Sequence, residues 1–351
     1  MKYNIRRYLY NLLALLSVAG VYVACSSSDD TVSDDCAVVR LAFYADEHPA
    51  QTRTLDAVTW SQVKCLAVAI FDNAGTQIGN TRAASPTEIS GMYTLDVQTH
   101  KATGCTIYAA ANLPDEFYGD GSSKSGVEAK KVVRTSLADL GNDDDIPMFG
   151  AYPNTVDIIS GTQTFGQIQL KRICSKIDIR ITPATGITIN GYQLCHLPLG
   201  SYYVERGVST WTAPTTYADF DEVNGLESTE AVTANYFTYE NLSGSNATVT
   251  TEKERYQANA PAEATYLLVK ATGPGWRTLF RIYLGGVNPA TNSADHADFN
   301  IYRNCRYTLD IAINGASSDD LRIDKGIEPL SLTTDINPWD DTNPAGTGEA
   351  E

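Results

Sequence analysis

Residues 165–182 read FGQIQLKRICSKIDIRIT, and apolar residues stand at nearly every second position along this run. Such alternation is typical of β-strands that bury one face. One long alternating run at this point can contain the last strand of a first β-sandwich and the first strand of a second. We therefore predict a junction between two domains at residues 172–174.

The same alternation recurs on both sides of this run. It predicts further strands at residues 37–45, 63–72, 91–100, 103–113, 264–272, 277–286 and 305–315. Clusters of Asn, Gly and Pro separate these segments, which favours antiparallel sandwiches over an alternating parallel α/β sheet. Residues 127–140 have helical spacing and predict a helix, whereas the polar residues 209–256 predict a large loop or surface insertion.

Length and charge limit the classes of protein that fit. At about 150 residues per domain, 351 residues predict two domains. The 42 acidic residues exceed the 26 basic ones, and the resulting charge of −16 repels nucleic acid. The predicted class is all-β, with two antiparallel sandwiches at residues 36–172 and 173–351 and one short helix in the first.

The first residues read as a targeting segment. Basic residues precede an apolar stretch at residues 12–24 that is too short to span a bilayer, so residues 1–24 are interpreted as a signal peptide. Ala24 and Cys25 then resemble the lipobox of bacterial lipoproteins, which implies a lipidated Cys25. The alternative is an ordinary secretory signal. Residues 26–30, SSSDD, resemble the acidic tag of surface lipoproteins of Bacteroidota, or else form part of a plain tether at residues 25–35.

The sequence offers little evidence for catalysis or metal binding. The four histidines lack the spacing of a helical metal pair, and no phosphate loop, dinucleotide fingerprint or nucleophile elbow occurs. Residues 143–145 and 295–298 are acidic loops for which solvated turns are the favoured interpretation. We therefore predict a protein that is not an enzyme and that has no catalytic residue, metal or cofactor.

Six cysteines remain if Cys25 carries lipid, and their even number permits disulfides in an exported protein. Wide spacing within predicted strands equally fits free thiols packed in a core. Both interpretations stay open for this set: Cys36, Cys65, Cys105, Cys174, Cys195 and Cys305.

Several strings together resemble the fimbrillin superfamily, the pilin subunits and relatives that Bacteroidales export as surface lipoproteins. They are LAVAIFDNAGTQI (66–78), TGCTIYAAANLP (103–114), IPMFG (146–150), LKRICSKIDIRIT (170–182) and YRNCRYTLDIAING (302–315). Phe149 and Ser175 depart from the serine and alanine of the family patterns. The resemblance implies two transthyretin-like β-sandwiches.

The resemblance also implies an assembly mechanism. In that family a first strand closes the N-terminal sandwich until an arginine-specific protease cuts behind it, and a strand of another subunit then takes the groove. Here Val39, Leu41 and Phe43 would form the apolar face of the displaced strand. The Arg53–Thr54 bond lies just beyond it and is the predicted cleavage site. Alternatively, Arg53 is a loop residue of an uncleaved subunit.

The C-terminal region bears on the position in a fimbrium. Leu330, Leu332 and Ile336 alternate in a predicted C-terminal strand, and residues 340–351 are rich in acids, Gly and Pro. Such a segment fills an apolar groove poorly. A subunit that accepts a strand without donating one is expected, as at a fimbrial tip or in an accessory position.

The expected function is therefore a structural and adhesive subunit of surface fimbriae (pili), supporting cell adhesion and biofilm formation. Its expected partners are other fimbrial subunits, the protease, a host or bacterial surface ligand, and the outer membrane through the palmitate of the lipid anchor. Three alternatives stay open: an anchor subunit that keeps its lipid, a glycan-binding surface lipoprotein that uses the tyrosines of residues 202–256, and a secreted hydrolase.

Overall fold

Strands dominate the structure, a computed structural model that describes residues 35–45, 63–89, 92–113, 118–119, 121–137, 140, 146–212, 216–317 and 321–329. All nine strands predicted from alternation are present, and the all-β class is confirmed. The described residues from Asp35 onward belong to one compact unit.

The described residues up to Arg172 form ten strands and one short helix. They are β1 (Cys36–Ala45), β2 (Leu66–Phe71), β3 (Gln77–Ala83), β4 (Glu88–Ile89), β5 (Met92–His100), β6 (Ala102–Ala111), α1 (Lys124–Ala129), β7 (Lys131–Val133), β8 (Met148–Ala151), β9 (Val156–Ile158) and β10 (Gly161–Arg172). Nine of the strands form one sheet in the order β3-β2-β6-β8-β10-β1-β5-β4, with β9 paired to β6.

This nine-stranded sheet curls until β3 faces β5. The Thr99 hydroxyl on β5 donates to the Ile78 carbonyl on β3 at 3.1 Å. A Cβ atom on Gly79 would lie 2.7 Å from the Gln98 carbonyl oxygen, so glycine permits this approach. The curled sheet encloses a core to which Leu66, Ile107 and other apolar side chains contribute.

The described residues from Cys174 onward form thirteen further strands. They are β11 (Cys174–Pro183), β12 (Thr188–Cys195), β13 (Leu197–Pro198), β14 (Gly200–Tyr202), β15 (Tyr217–Ala218), β16 (Val223–Ser228), β17 (Val232–Tyr239), β18 (Tyr266–Gly273), β19 (Trp276–Tyr283), β20 (Val287–Asn288), β21 (Ser293–Ala294), β22 (Cys305–Ile313) and β23 (Leu321–Pro329). Two four-stranded sheets, β17-β11-β22-β23 and β16-β12-β18-β19, contribute to one apolar core.

Two strand pairs among the described residues are parallel, within sheets that are otherwise antiparallel as predicted. β1 runs parallel to β10, and β11 runs parallel to β22. In both pairs the two strands are far apart along the chain. Long connections allow either direction, and alternation reports which face is buried without reporting strand direction.

The helix predicted at residues 127–140 is wrong in extent. Helix α1 ends at Ala129, because Lys130 is extended and β7 then pairs with β14. The β-branched Val132 and Val133 favour a strand. Gly200 permits the pairing, since a Cβ atom there would lie 2.1 Å from the Val132 carbonyl oxygen.

The loop predicted at residues 209–256 is also wrong in part. This region contains β15, β16 and β17, and β17 pairs with β11 along eight residues. β17 is an edge strand whose residues are mostly half-buried or exposed. Its outer face does not need apolar residues, and its sequence therefore shows weak alternation.

The junction between β10 and β11 consists of Ile173 alone, because β10 ends at Arg172 and β11 begins at Cys174. Arg172 is 2% exposed, and its backbone N–H donates to the Asn304 side-chain oxygen at 3.2 Å. The Asn304 N–H donates to the Cys174 carbonyl at 2.8 Å. Residues from two of the quoted strings thus meet where the chain passes between sheets, while the domain boundary itself stays a prediction.

All six described cysteines are free. Burial raises the pKa of the Cys174 and Cys305 thiols to about 12, and such thiols behave as apolar core atoms. No helix among the described residues is long and apolar enough to cross a membrane.

Candidate functional site

Strand β1 occupies an interior position in the first sheet, between β10 and β5. It is parallel to β10, with Ala37 opposite Gly161, and antiparallel to β5, with Phe43 opposite Tyr93. Its backbone is therefore paired on both sides. Removing β1 would leave a slot between two unpaired strand edges.

The inward face of β1 is entirely buried. Val39, Leu41 and Phe43 are each 0% exposed, and the flanking Ala37 and Ala45 are 3% and 7% exposed. At about 1.5–3 kcal/mol for each large side chain, the first three contribute about 4.5–9 kcal/mol. These are the residues named from sequence as the core of the displaced strand, and their expected burial is observed. Their displacement stays a prediction.

The outward face of β1 carries a charged pair. Arg40 lies directly opposite Asp96 on β5 and donates two hydrogen bonds of 2.8 Å to its carboxylate, one from Nε and one from Nη2. The hydrogen bond and the charge of Asp96 raise the pKa of Arg40 above its ordinary value. Both side chains are about half exposed, so the pair contributes more to register than to stability.

Strand β10 bulges beside the centre of β1. Arg40 is opposite Thr164 and Ala42 is opposite Gln167, so two β10 residues, Phe165 and Gly166, face the single Leu41. The Tyr152 and Phe165 rings pack against each other, with their centroids 5.9 Å apart. A bulge of this kind fixes the register of a neighbouring strand, because a slipped strand loses its matching hydrogen bonds.

Several predicted site residues fall outside the described residues. They are Cys25, Arg53, Thr54, Leu330, Leu332 and Ile336. The predicted Arg53–Thr54 bond belongs to the connection between Ala45, where β1 ends, and β2. Arg40, the other arginine near this connection, lies inside β1 with paired backbone on both sides.

The loop at residues 295–298 belongs to a separate polar cluster. The Arg255 guanidinium is buried and donates to the His296 and Asp298 carbonyls at 2.6 and 2.7 Å. Burial raises the pKa of the Asp298 carboxyl to about 6. Within the described ranges, no three His, Cys, Asp or Glu side chains come together as a metal site.

The tyrosines of residues 202–256 do not form one exposed surface. Tyr202, Tyr203 and Tyr239 are buried, and Tyr217 stacks on His196 with ring centroids 4.3 Å apart. Tyr256 is 53% exposed. Sugar binding by stacking needs exposed ring faces, so this region gives the glycan-binding alternative little support.

This architecture was compared with protein families and with solved structures. A family model described as a domain of unknown function (DUF4906) matches residues 236–311, and no curated protein matches the chain. The tip fimbrial protein Mfa3 from Porphyromonas gingivalis, with C-terminal truncation, has a TM-score of 0.56 at 15% identity, covering 83% of this chain and 99% of that chain. A fimbrilin (fimA) from the same organism has a TM-score of 0.54 at 13% identity, covering 84% and 97%.

A third structure, from Parabacteroides distasonis, is provisionally described as a cell adhesion protein. Its TM-score is 0.58 at 17% identity, and the match covers 85% of this chain and 98% of that chain. The chain has the fimbrillin fold. The resemblance expected from the quoted strings is thus confirmed for the fold, which identities this low can show.

Within this fimbrillin fold, the quoted strings occupy structural positions that explain their residues. In IPMFG, a Cβ atom on Gly150 would lie 2.3 Å from the Gln169 carbonyl oxygen, so only glycine fits between β8 and β10. In the YRN string, Arg303 is buried and pairs with Glu240.

Sequence reasoning missed three residues of the site itself. Ala37 and Ala45 continue the alternation of Val39, Leu41 and Phe43, and this periodicity could have identified them. Asp96 lies 56 residues from Arg40 along the chain, and no local signal pairs the two.

Proposed function

We propose that this chain is a structural and adhesive subunit of surface fimbriae, in a tip or accessory position. It is made as a lipoprotein, matured by an arginine-specific protease, and joined to a neighbouring subunit through the slot that β1 vacates. The observation that carries the proposal is β1 itself, a buried strand between β10 and β5 whose chain leads into the Arg53–Thr54 connection.

Three further observations support this proposal. The matched structures are described as a tip fimbrial protein, a fimbrilin and a provisional cell adhesion protein. Residues 1–24 followed by Cys25 resemble the leader of a surface lipoprotein, and lipid on Cys25 would supply an anchor at the outer surface. The buried face of β1 would leave apolar surface exposed on departure, so an open slot demands a replacement strand.

The tip or accessory position rests on residues 340–351. They contain four acids, one proline and two glycines in place of alternating apolar residues. A strand of that composition neither pairs well nor fills an apolar slot. The function requires no catalysis, which fits structural neighbours described as fimbrial and adhesion proteins.

The proposal is tested by fractionating cells that express the native chain or Arg53→Lys. The lysine keeps the charge but removes the arginine that the protease requires. We expect native protein in filaments sheared from cells, and Arg53→Lys protein only in the membrane fraction. Arg40→Lys is the matched control and should behave like the native chain.

Two outcomes would contradict the proposal. Native protein found only as free membrane lipoprotein would remove the chain from the filament. Arg53→Lys protein found in sheared filaments at the native level would show that cleavage at this bond is not needed.

A further inference from the structure

We infer that the β1 slot selects its incoming strand by the order of side-chain sizes and by one positive charge, and that this strand belongs to a different kind of subunit. The inference rests on the proposed function, since β1 must leave before another strand can enter. It specifies the partner's sequence at named positions.

The size order follows from the five inward positions of β1. Along the chain they read Ala37, Val39, Leu41, Phe43 and Ala45, all at most 7% exposed. Protein interiors are close-packed, so adding or removing a methylene group there lowers stability. The sizes increase up to Phe43, so a strand of reversed order would place its aromatic ring where Val39 fits. The slot therefore distinguishes both composition and direction.

The β10 bulge supplies the register. The strand in the slot has one residue, Leu41, opposite Phe165 and Gly166. A shift by one residue would turn the apolar face outward. A shift by two would put Phe43 into the pocket of Leu41 in one direction or of Ala45 in the other. Only one register of the incoming strand therefore fills the inward pockets and also places a single residue opposite the β10 bulge.

The charge requirement follows from Asp96. The β5 residues opposite Val38 and Ala42 on the same outward face are Gln98 and Thr94, which are uncharged. Arg40 alone on this face of β1 meets a carboxylate in register. An incoming strand with a basic residue at this position would restore the ion pair, and one with an acidic residue would meet a like charge.

A second copy of this chain is a poor donor. In the direction of β1, only two alignments keep Leu330, Leu332 and Ile336 inward within positions 37–45, and they put Thr334 in place of Leu41 or Phe43. The position of Arg40 is then taken by Thr333 or Ser331. A hydroxyl in an apolar pocket loses its hydrogen bonds to water, so the donor must come from elsewhere.

The test uses the uncleaved chain from residue 26 onward, with a specific protease sequence inserted between Arg53 and Thr54. After cleavage β1 remains bound without a covalent link, and labelled peptides compete for its slot. The first peptide copies residues 36–45 with Cys36→Ser. The others add Ala37→Phe with Phe43→Ala, add Arg40→Glu, or copy residues 329–339. Bound peptide is measured by fluorescence anisotropy and intact mass.

We expect the β1 copy to exchange. The size-swapped peptide and the 329–339 peptide should compete about 100-fold less well or worse, because a large cavity or an overpacked site results. Arg40→Glu should compete about 5- to 10-fold less well. Asp96→Lys in the protein should restore binding of the Arg40→Glu peptide and weaken binding of the β1 copy.

The outcomes separate this inference from the proposed function. If the β1 copy itself fails to exchange, the slot does not open and the proposed function fails. If the β1 copy exchanges but the size-swapped or 329–339 peptide competes equally, the inferred size selection is overturned. Equal competition by Arg40→Glu, with no effect of Asp96→Lys, would overturn the charge requirement.

Discussion

Arg303 and Glu240 form a buried ion pair, in which Nε of Arg303 donates to Oε2 of Glu240 at 2.9 Å. Their side chains are 4% and 2% exposed. The Arg303 guanidinium also donates to the Tyr202 and Tyr203 carbonyls at 2.7 Å each, at the end of the β7–β14 pairing. This one side chain therefore connects the start of β22, the end of β17 and the chain around β14.

Replacing Arg303 should strongly destabilise the fold. Arg303→Met leaves the Glu240 carboxylate buried without its counter-charge, and we expect the free energy of unfolding to fall by about 3–5 kcal/mol in urea denaturation. Adding Glu240→Gln should recover part of that loss. The matched control is Arg322→Met, which removes an exposed pair with Asp324 and should cost about 1 kcal/mol or less. Equal losses for the two arginines would contradict this account.

Gly150→Ala should be destabilising because the new methyl group would lie 2.3 Å from the Gln169 carbonyl oxygen. We expect β8 and β10 to separate, at a cost of about 1–3 kcal/mol or more in the free energy of unfolding. Gly207→Ala is the control, since the nearest atom to its Cβ would lie 3.9 Å away. A Gly150→Ala protein as stable as the control would disprove the close approach.

Phe43→Ala tests the docking of β1. Phe43 is 0% exposed, and its removal should cost about 3–5 kcal/mol through lost burial and an unfilled cavity. Val38→Ala on the half-buried outward face should cost about 1 kcal/mol or less. Urea denaturation of both variants supplies the comparison. A small loss for Phe43→Ala would mean that β1 contributes little to the sandwich.

Asp298 should make stability depend on pH. Burial raises the pKa of its carboxyl from 3.8 to about 6, so the folded state holds a proton that the unfolded chain has lost between these values. Its stabilising contribution is complete below the unfolded pKa and is lost as the pH rises through about 6.

Asp298→Asn cannot titrate and should abolish this contribution. Relative to the variant, the native chain should lose up to about 3 kcal/mol of unfolding free energy between pH 4 and pH 7. Urea denaturation at intervals across that range gives the difference. A difference that stays constant with pH would show that Asp298 is ionised throughout in the folded protein.

Much of the fold can be predicted from local sequence, because alternation directly reflects burial. Val39, Leu41 and Phe43 show this, since their spacing gives both the strand and its inward face. The local sequence pattern does not specify which distant side chains pair with each other. Arg40 and Asp96 meet only because β1 inserts between β10 and β5, and Arg303 reaches Glu240 across 63 residues.

Two other elements show where tertiary contacts override local preference. Residues 131–133 continue a helical spacing, yet they form β7 because Gly200 offers an edge close enough for pairing. β17 lacks clear alternation because one side of this edge strand is partly exposed, and its pairing with β11 still makes it a strand.

The most direct test of the proposed mechanism is the N-terminal residue of this protein in filaments sheared from intact cells, read by sequencing and intact mass. Cleavage at Arg53–Thr54 would remove the lipid anchor and β1 in one step, so we expect the chain in filaments to begin at Thr54. A chain in the same filaments that begins at a lipidated Cys25 would contradict the mechanism, because β1 would then still be covalently attached.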